Sequence, residues 1–278
     1  MEESALHGAW LDVAVCDGVE SRIKTRKALK ISRVLVSQPR PTSSHDPYVK
    51  LEQSCGVDIE YRPLIHVEGV TAFEFRKQRI DFSKFQGVVF NSKVAVDHFF
   101  RLCTELRYQV PDTLLYFCIS ESVALYLQKY VTYRKRRVFS SSSGKIEDVL
   151  PEMLKRKEEK FLFPVSNVQG PEQLRELKRA GLHIKKAILY NTVSSDIHDL
   201  DLHSFDMIVF YSPFGIASLL ENFPEFVQQE IKIAVYGKGT HRAAKQAGLA
   251  VDVVAPTVKC PSLTDAIEEF ICSYNKEK

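Results

Sequence analysis

From residue 31 to about residue 275, short apolar runs alternate with longer amphipathic segments. "ISRVLVSQ" (31–38), "VDIEYRPLIHVE" (57–68), "GVVFNS" (87–92), "LLYFCI" (114–119) and "DMIVFYS" (206–212) are dense in β-branched and aromatic residues. With "RRVFS", "KFLFPVS", "IKKAILYNTVS", "IKIAVYG" and "LAVDVVAP" they predict about ten strands. The segments between them predict helices. "DPYVKLEQSCG" opens with Asp46 as N-cap and Pro47 in the first helical position, and closes at Gly56. "VAVDHFFRLCTEL" (94–106) and "SESVALYLQKY" (120–130), the latter capped by Ser120, follow the same logic. "GPEQLRELKRAG", "FGIASLLENF", "THRAAKQAG" and "PSLTDAIEEFICSY" continue it. Pro151 inside "KIEDVLPEMLKRK" predicts a break or kink. Apolar strands separated by helices are the pattern of parallel sheets covered on both faces. About ten strands fit two α/β units better than one.

Ligands of parallel sheets sit at the carboxyl ends of strands. Four turns there share one character: "FNSKVAV" (90–96), "CISESVA" (118–124), "FYSPFGI" (210–216) and "VYGKGTH" (235–241). Each leads from a strand through small or hydroxyl residues into a helix. The backbone N–H groups of a helix start bind anions, and several such starts suit a polyanion. The turn at Gly237-Lys238-Gly239-Thr240 invites a nucleotide reading. A phosphate-binding P-loop needs a glycine five residues before a Gly-Lys-Ser/Thr, which is absent. A dinucleotide fingerprint needs Gly or Ala at the place of Arg242; Ala243 comes one residue late.

Other chemistry is sparse. The 38 basic and 35 acidic residues leave a net charge of +3, which does not predict nucleic-acid binding. "YRKRRV" (133–138) reads as a charged edge strand and "KRKEEK" (155–160) as a solvated helix end. Cysteines 16, 55, 103, 118, 260 and 272 are scattered without a Cys-x-x-Cys pair, as in a protein that keeps its thiols reduced. No His/Cys or carboxylate spacing predicts a metal site, and no Gly-x-Ser-x-Gly elbow is present. No apolar run nears the roughly 20 residues of a membrane span. Residues 1–30 carry Trp10 and acidic residues, end in "SRIKTRKALK", and read as an extension rather than a signal peptide.

Several stretches occur together in the order found in uroporphyrinogen-III synthases: "DPYVKLEQSCGVDIEYRPLI", "VVFNSKVAVDHFF", "FLFPVSN", "AILYNTV", "MIVFYSPFGIASLL" and "IAVYGKGTHRAAKQAGLAVDVVAPT". The chain resembles that family over about residues 31–275, especially its form in Bacteroidetes-type bacteria. The resemblance implies two parallel-sheet α/β domains joined by a two-stranded β linker near "PLIHVE" and "ILYNTVS". The first domain is then discontinuous, 31–65 plus 195–278, and the second is 66–194. The implied reaction closes the linear tetrapyrrole hydroxymethylbilane, inverts its last ring and releases water. It implies no metal or organic cofactor, no nucleic acid or membrane, and a cytoplasmic monomer. The substrate's eight carboxylates match a cleft lined by helix starts.

The family's cleft tyrosine corresponds to Tyr190, the implied helper in loss of the hydroxyl; a linker tyrosine packed in its strand is the structural alternative. Ser92 and Ser212 correspond to hydroxyls at strand ends, and Ser122 to a threonine, or else it caps its helix. Ser166 and Asn167 lie at another strand end, and Thr240 matches the last hydroxyl of a "GPTT" turn. Three turns depart from the family. Phe90-Asn91-Ser92 replaces "FTS". Ser212-Pro213-Phe214-Gly215 replaces "SPSG", so Phe214 either crowds the ligand or stacks on a pyrrole. Gly237-Lys238-Gly239-Thr240 replaces "GPTT", so Lys238 adds a charge for a carboxylate while Gly239 removes a hydroxyl. These departures raise a second reading, a non-catalytic relative that binds a tetrapyrrole or another polyanion.

Overall fold

The computed structural model describes residues 30–41, 46–168, 170 and 172–277. Apart from Lys30, the predicted extension lies outside them.

In chain order, the strand β1 (Arg33–Val36) leads to the helix α1 (Pro47–Cys55) and to β2 (Asp58–Tyr61). Asp46 accepts the Tyr48 N–H at 2.9 Å as the N-cap of α1. β3 (Ile65–Gly69) then precedes α2 (Ala72–Lys77), β4 (Gly87–Phe90), α3 (Lys93–Glu105), β5 (Leu115–Cys118) and α4 (Glu121–Tyr126). β6 (Val138–Ser140), α5 (Leu150–Leu154), β7 (Lys160–Ser166), α6 (Glu172–Arg179) and the long β8 (His183–Ser194) complete the middle of the chain. Last come β9 (Met207–Phe210), α7 (Pro213–Asn222), β10 (Lys232–Tyr236), α8 (Gly237–Gln246), β11 (Val253–Ala255) and α9 (Leu263–Lys276).

The strands form two mixed α/β layers. Sheet 1 has the order β11-β10-β9-β1-β2, all parallel, and takes its strands from the two ends of the described chain. Sheet 2 has the order β3-β8-β7-β4-β5-β6, parallel except for the antiparallel pair β3–β8. Alternate residues of each strand serve opposite faces. In sheet 1, Val34, Val36, Met207 and Val209 pack with Leu51 of α1 and Ile267 of α9. Their neighbours Leu35, Ile208, Phe210 and Ile233 pack with Ile216 of α7 and Ala244 of α8. Sheet 2 is built the same way: Val88, Phe90 and Tyr116 face α3 and α4, and Val89, Phe117 and Phe163 face α5 and α6.

Three local expectations change, and one holds. The run 57–68 is two strands, each in a different sheet. Pro63 has no N–H to give a ladder, and the chain crosses between sheets there. An unforeseen helix, α2, carries a full capping box in which Thr71 and Glu74 satisfy each other's backbone N–H groups. The break predicted near Pro151 is present: a 3-10 turn over Ile146–Asp148 ends at Val149, and α5 restarts with Pro151 in its first turn, where a missing N–H costs nothing. The helix predicted from Thr240 already begins at Gly237, so the Gly-Lys-Gly-Thr turn is its first turn.

The two crossings are fastened to α7. The Ser218 hydroxyl donates to the Leu64 carbonyl, and the Asn222 amide donates to the Ser195 carbonyl at 3.0 Å while its oxygen accepts the Ile197 N–H at 3.1 Å. Ser195 N–H also bonds Leu64 O at 2.9 Å. The helix that starts at Ser212 thus holds both connections.

Candidate functional site

The predicted residues fall into two groups, each at the carboxyl end of its own sheet. Ser92, Ser122, Ser166, Asn167 and Tyr190 belong to sheet 2. Ser212, Phe214, Gly215, Lys238, Gly239 and Thr240 belong to sheet 1. No hydrogen bond or ring contact among the described residues joins one group to the other.

In sheet 2, Tyr190 sits where β8 meets β7 on one side and β3 on the other, opposite Ser166 and Gly69. The β7–β8 register shifts between Val165 and Ser166, an irregularity of the kind that re-aims side chains. Tyr190 is 7% exposed, and its hydroxyl lies 3.4 Å from the Ser92 hydroxyl. Ser92 is the N-cap of α3, accepting the Ala95 N–H at 3.1 Å. Burial pushes the Tyr190 phenol above its ordinary range, against a smaller opposing pull from Ser92. Tyr190 therefore keeps its proton at neutral pH.

Two residues that sequence reasoning missed complete this group. The His98 imidazole stacks on the Tyr190 ring, 5.1 Å between centroids and 18° between planes. Arg101 Nε donates to His98 Nδ1 at 3.2 Å, so Nδ1 is the acceptor and the neutral ring carries its proton on Nε2. Burial first, and then the Arg101 charge, hold His98 below the usual imidazole range. Arg101 also donates to the Val70 carbonyl at 2.8 Å. Its guanidinium lies so close to Gly69 that an added Cβ would be 2.8 Å from a terminal nitrogen. The available sequence signal was the i, i+3 spacing of His98 and Arg101 on α3, which matches no motif.

The other sheet 2 candidates have local roles. Ser120 caps α4 by accepting the Val123 N–H at 3.3 Å, and the exposed Ser122 hydroxyl meets Ser120 at 3.1 Å; capping is not the role of Ser122. The Asn167 amide oxygen accepts the Thr192 N–H at 2.8 Å, continuing the β7–β8 pairing by a side chain. Ser166 is buried at the end of β7.

In sheet 1, Ser212 caps α7 by accepting the Gly215 N–H at 3.1 Å, with Pro213 in the first turn. Phe214 is half-buried. At Gly215 an added Cβ would meet nothing nearer than Ser212 Oγ at 3.5 Å, so packing does not demand glycine there. α8 starts differently. Its N-cap residue, Tyr236, makes no side-chain cap bond, and Gly237 enters the helix at φ 84, in the left-handed region. Lys238 and Gly239 are exposed, whereas Thr240 is 3% exposed on the inner face with Ala244. Lys238 and the first-turn N–H groups, which no side chain caps, therefore lie outside the Thr240 hydroxyl. Gly239 lies 3.7 Å, as measured from a built Cβ, from the Pro213 ring, so the two helix starts adjoin.

A chain of phenols lines the same end of sheet 1. Tyr236 packs on Tyr211 at 5.9 Å, and Tyr211 and Tyr48 join hydroxyls at 2.7 Å. Tyr48 packs edge-on against Tyr61 at 5.8 Å, and the Tyr61 hydroxyl donates to Asp46 at 2.6 Å. Burial raises Tyr48, Tyr61 and Tyr211, so all three remain phenols at neutral pH. These tyrosines come from β2, α1, the turn after β9 and the end of β10, and no local pattern joins them. No helix of the described residues is long and apolar enough to cross a membrane, and no group of three His, Cys, Asp or Glu side chains among them is placed to hold a metal.

Residues 46–265 match the family model of uroporphyrinogen-III synthase HemD. No curated protein matches the sequence. Among solved structures, a mutant uroporphyrinogen III synthase from Thermus thermophilus shares the fold with a TM-score of 0.55 at 15% identity, covering 89% of this chain and 100% of the other. Uroporphyrinogen-III synthetase from Helicobacter pylori has a TM-score of 0.55 at 16% identity, covering 87% of this chain and 100% of its own. At such identity the structures speak to the fold, and the family match spans most of the sequence. The chain belongs to the uroporphyrinogen-III synthase family.

Proposed function

We propose that this chain is an active uroporphyrinogen-III synthase that cyclises hydroxymethylbilane with inversion of the last ring and loss of water. The observation that carries the reading is the buried Tyr190 phenol, protonated at neutral pH, beside Ser92 and stacked on neutral His98.

The departing hydroxyl is attached to a carbon next to an electron-rich pyrrole. The ring's electrons drive the C–O bond open, and the oxygen leaves as water once it takes a proton. Tyr190 gives that proton and regains one when the newly bonded ring restores its aromatic system. Ser92 holds the phenol in place. The neutral imidazole of His98 puts no positive charge beside the developing cation.

The sheet 1 group acts as carboxylate receptor. Lys238, the open start of α8 and the adjoining start of α7 present charge and N–H donors to the substrate's acidic side chains. Phe214 stacks on a pyrrole. In this reading the domains are 31–65 plus 195–278 and 66–194, the substrate bridges their two groups, and the enzyme works as a cytoplasmic monomer. Holding both ends of a linear chain together supplies much of the rate.

The test is direct. Purified protein incubated with hydroxymethylbilane is expected to yield the type III isomer. Only the spontaneous type I product would sink the reading, and tetrapyrrole binding without turnover would identify a non-catalytic relative instead.

A further inference from the structure

A cavity of about 330 Å³ opens at the amino-terminal end of sheet 2. Its walls come from the turn after α2, the start of β7 and the start of β8. Arg79, Lys84, Lys160, His183 and Lys185 face it, around a floor of Ile80, Phe85 and Ile184. The candidate site is at the opposite end of the same strands. Lys160 and Ser166 are the two ends of β7, about 20 Å apart at strand rise, and Ser166 pairs with Tyr190.

We propose that this cavity binds an organic anion with an aromatic or alicyclic body. Four features converge on that chemistry. First, the charge is one-sided: Asp81 is the only acid in the lining, against four lysine or arginine side chains and a histidine. Asp81 is already engaged, accepting the Ser83 N–H at 3.0 Å and the Ser83 hydroxyl at 2.7 Å. Lys84 stands 3.9 Å from it, and Arg79, Lys160 and Lys185 make no ion pair among the described residues. Cations gathered around a concave surface focus a positive potential into it.

Second, the floor is apolar. Ile184 is buried and Ile80 and Phe85 are half-buried, so a bare inorganic anion leaves that surface unused. Third, Arg79 follows the C-cap of α2 at φ 52, the left-handed conformation in which helices commonly end. That turn takes the chain out of α2 towards the Asp81 turn and puts the Arg79 side chain in the cavity lining. Fourth, the edge of β8 is open beside the cavity. β3 covers β8 only from Tyr190 to Ser194, and the Gln78 side-chain amide covers Ile188 through bonds of 2.7 and 3.0 Å. Before that point His183–Ala187 has a strand partner only on the β7 side among the described residues, which leaves backbone donors beside the basic rim. The volume is at the lower end of the range for small-molecule sites.

The cavity's ligand is independent of the proposed reaction. Binding is tested with the full chain, labelled with ¹⁵N and titrated with 8-anilinonaphthalene-1-sulfonate. Saturable fluorescence is expected, with amide shifts concentrated at residues 79–86 and 183–186. Lys160→Glu with Lys185→Glu is expected to raise the Kd about tenfold or more at low salt, with isomer-forming activity unchanged. If the double reversal fails to fold, Lys160→Gln with Lys185→Gln carries the same test, with a several-fold loss expected. Inorganic pyrophosphate is expected to bind at least about tenfold more weakly than the aromatic sulfonate, because it leaves the apolar floor uncovered. Shifts centred elsewhere, or equal binding by the lysine variants, would overturn the site. Equal binding of pyrophosphate would overturn the apolar half of the assignment.

Discussion

Two helix starts at the carboxyl ends of the two sheets are built in opposite ways. At α3 in sheet 2, Ser92 occupies the cap, meets Tyr190, and sits in a closed set with His98, Arg101 and Gly69. At α8 in sheet 1, no side chain caps the helix, Lys238 and Gly239 are exposed, and Lys238 stands free of any ion pair among the described residues. The closed start places one proton in a buried position held by its neighbours. The open start leaves donors and charge available to whatever arrives. A group that must deliver a proton gains from rigidity and burial, whereas a group that must receive flexible carboxylates gains from unused donors.

The largest expected effect breaks the closed side. Tyr190→Phe removes the proton and keeps the ring stacked on His98, so turnover should fall about 10- to 100-fold. The melting temperature should shift by no more than a few degrees. A rate unchanged within twofold would remove Tyr190 from the chemistry.

The next test compares glycines in the two regions. Gly69→Ala pushes the end of the Arg101 side chain off its carbonyl partners and, because that side chain is flexible and partly exposed, should cost up to about 1 kcal/mol in urea denaturation. Gly215→Ala meets only ordinary contacts and gains helix propensity, so it should be neutral or stabilising by up to about 1 kcal/mol. Equal losses at both positions would show that the closed group is no tighter than the open one.

A smaller effect is read in pH. His98 is held below the usual imidazole range by burial and by Arg101, so the unfolded chain takes up this proton before the native one does. Its contribution to stability is therefore flat above pH 6.5, falls as the pH drops from there to the native value, and then levels off. His98→Gln should remove that part of the slope in denaturation midpoints measured across acid pH. A slope that persists unaltered assigns it to other groups.

The smallest expected effect concerns the open side. Lys238→Ala should raise KM a few-fold at low ionic strength, with kcat nearly unchanged. The difference should shrink towards none at about 0.5 M salt, because an exposed charge is screened. An effect independent of salt would mean that Lys238 acts by packing rather than by charge.

Much of this architecture was legible in local signals. Asp46, Ser120 and Pro47 gave correct helix starts, and apolar runs gave most strands, because capping and periodicity act within a few residues. The capping box at Thr71 and Glu74 was legible too, though α2 went unassigned. The Tyr190 environment was not legible. Its ring meets His98 and Ser92, 92 and 98 residues away in sequence, and nothing in "VAVDHFF" marks the histidine that will face a strand tyrosine. The phenol chain is equally hidden, since it is drawn from four separate elements.

The sequence by itself determined the alternation of strands and helices, the caps, and the hydroxyl-rich turns at strand ends. Tertiary structure decided that residues 57–68 serve two sheets and that α8 alone among the four starts lacks a side-chain cap. It also decided that Thr240 is buried behind Lys238. The reason is one of range. Backbone propensity and capping are settled by neighbours within one helical turn, whereas strand partners and the surroundings of a side chain are settled by which distant surfaces bury the most apolar area together.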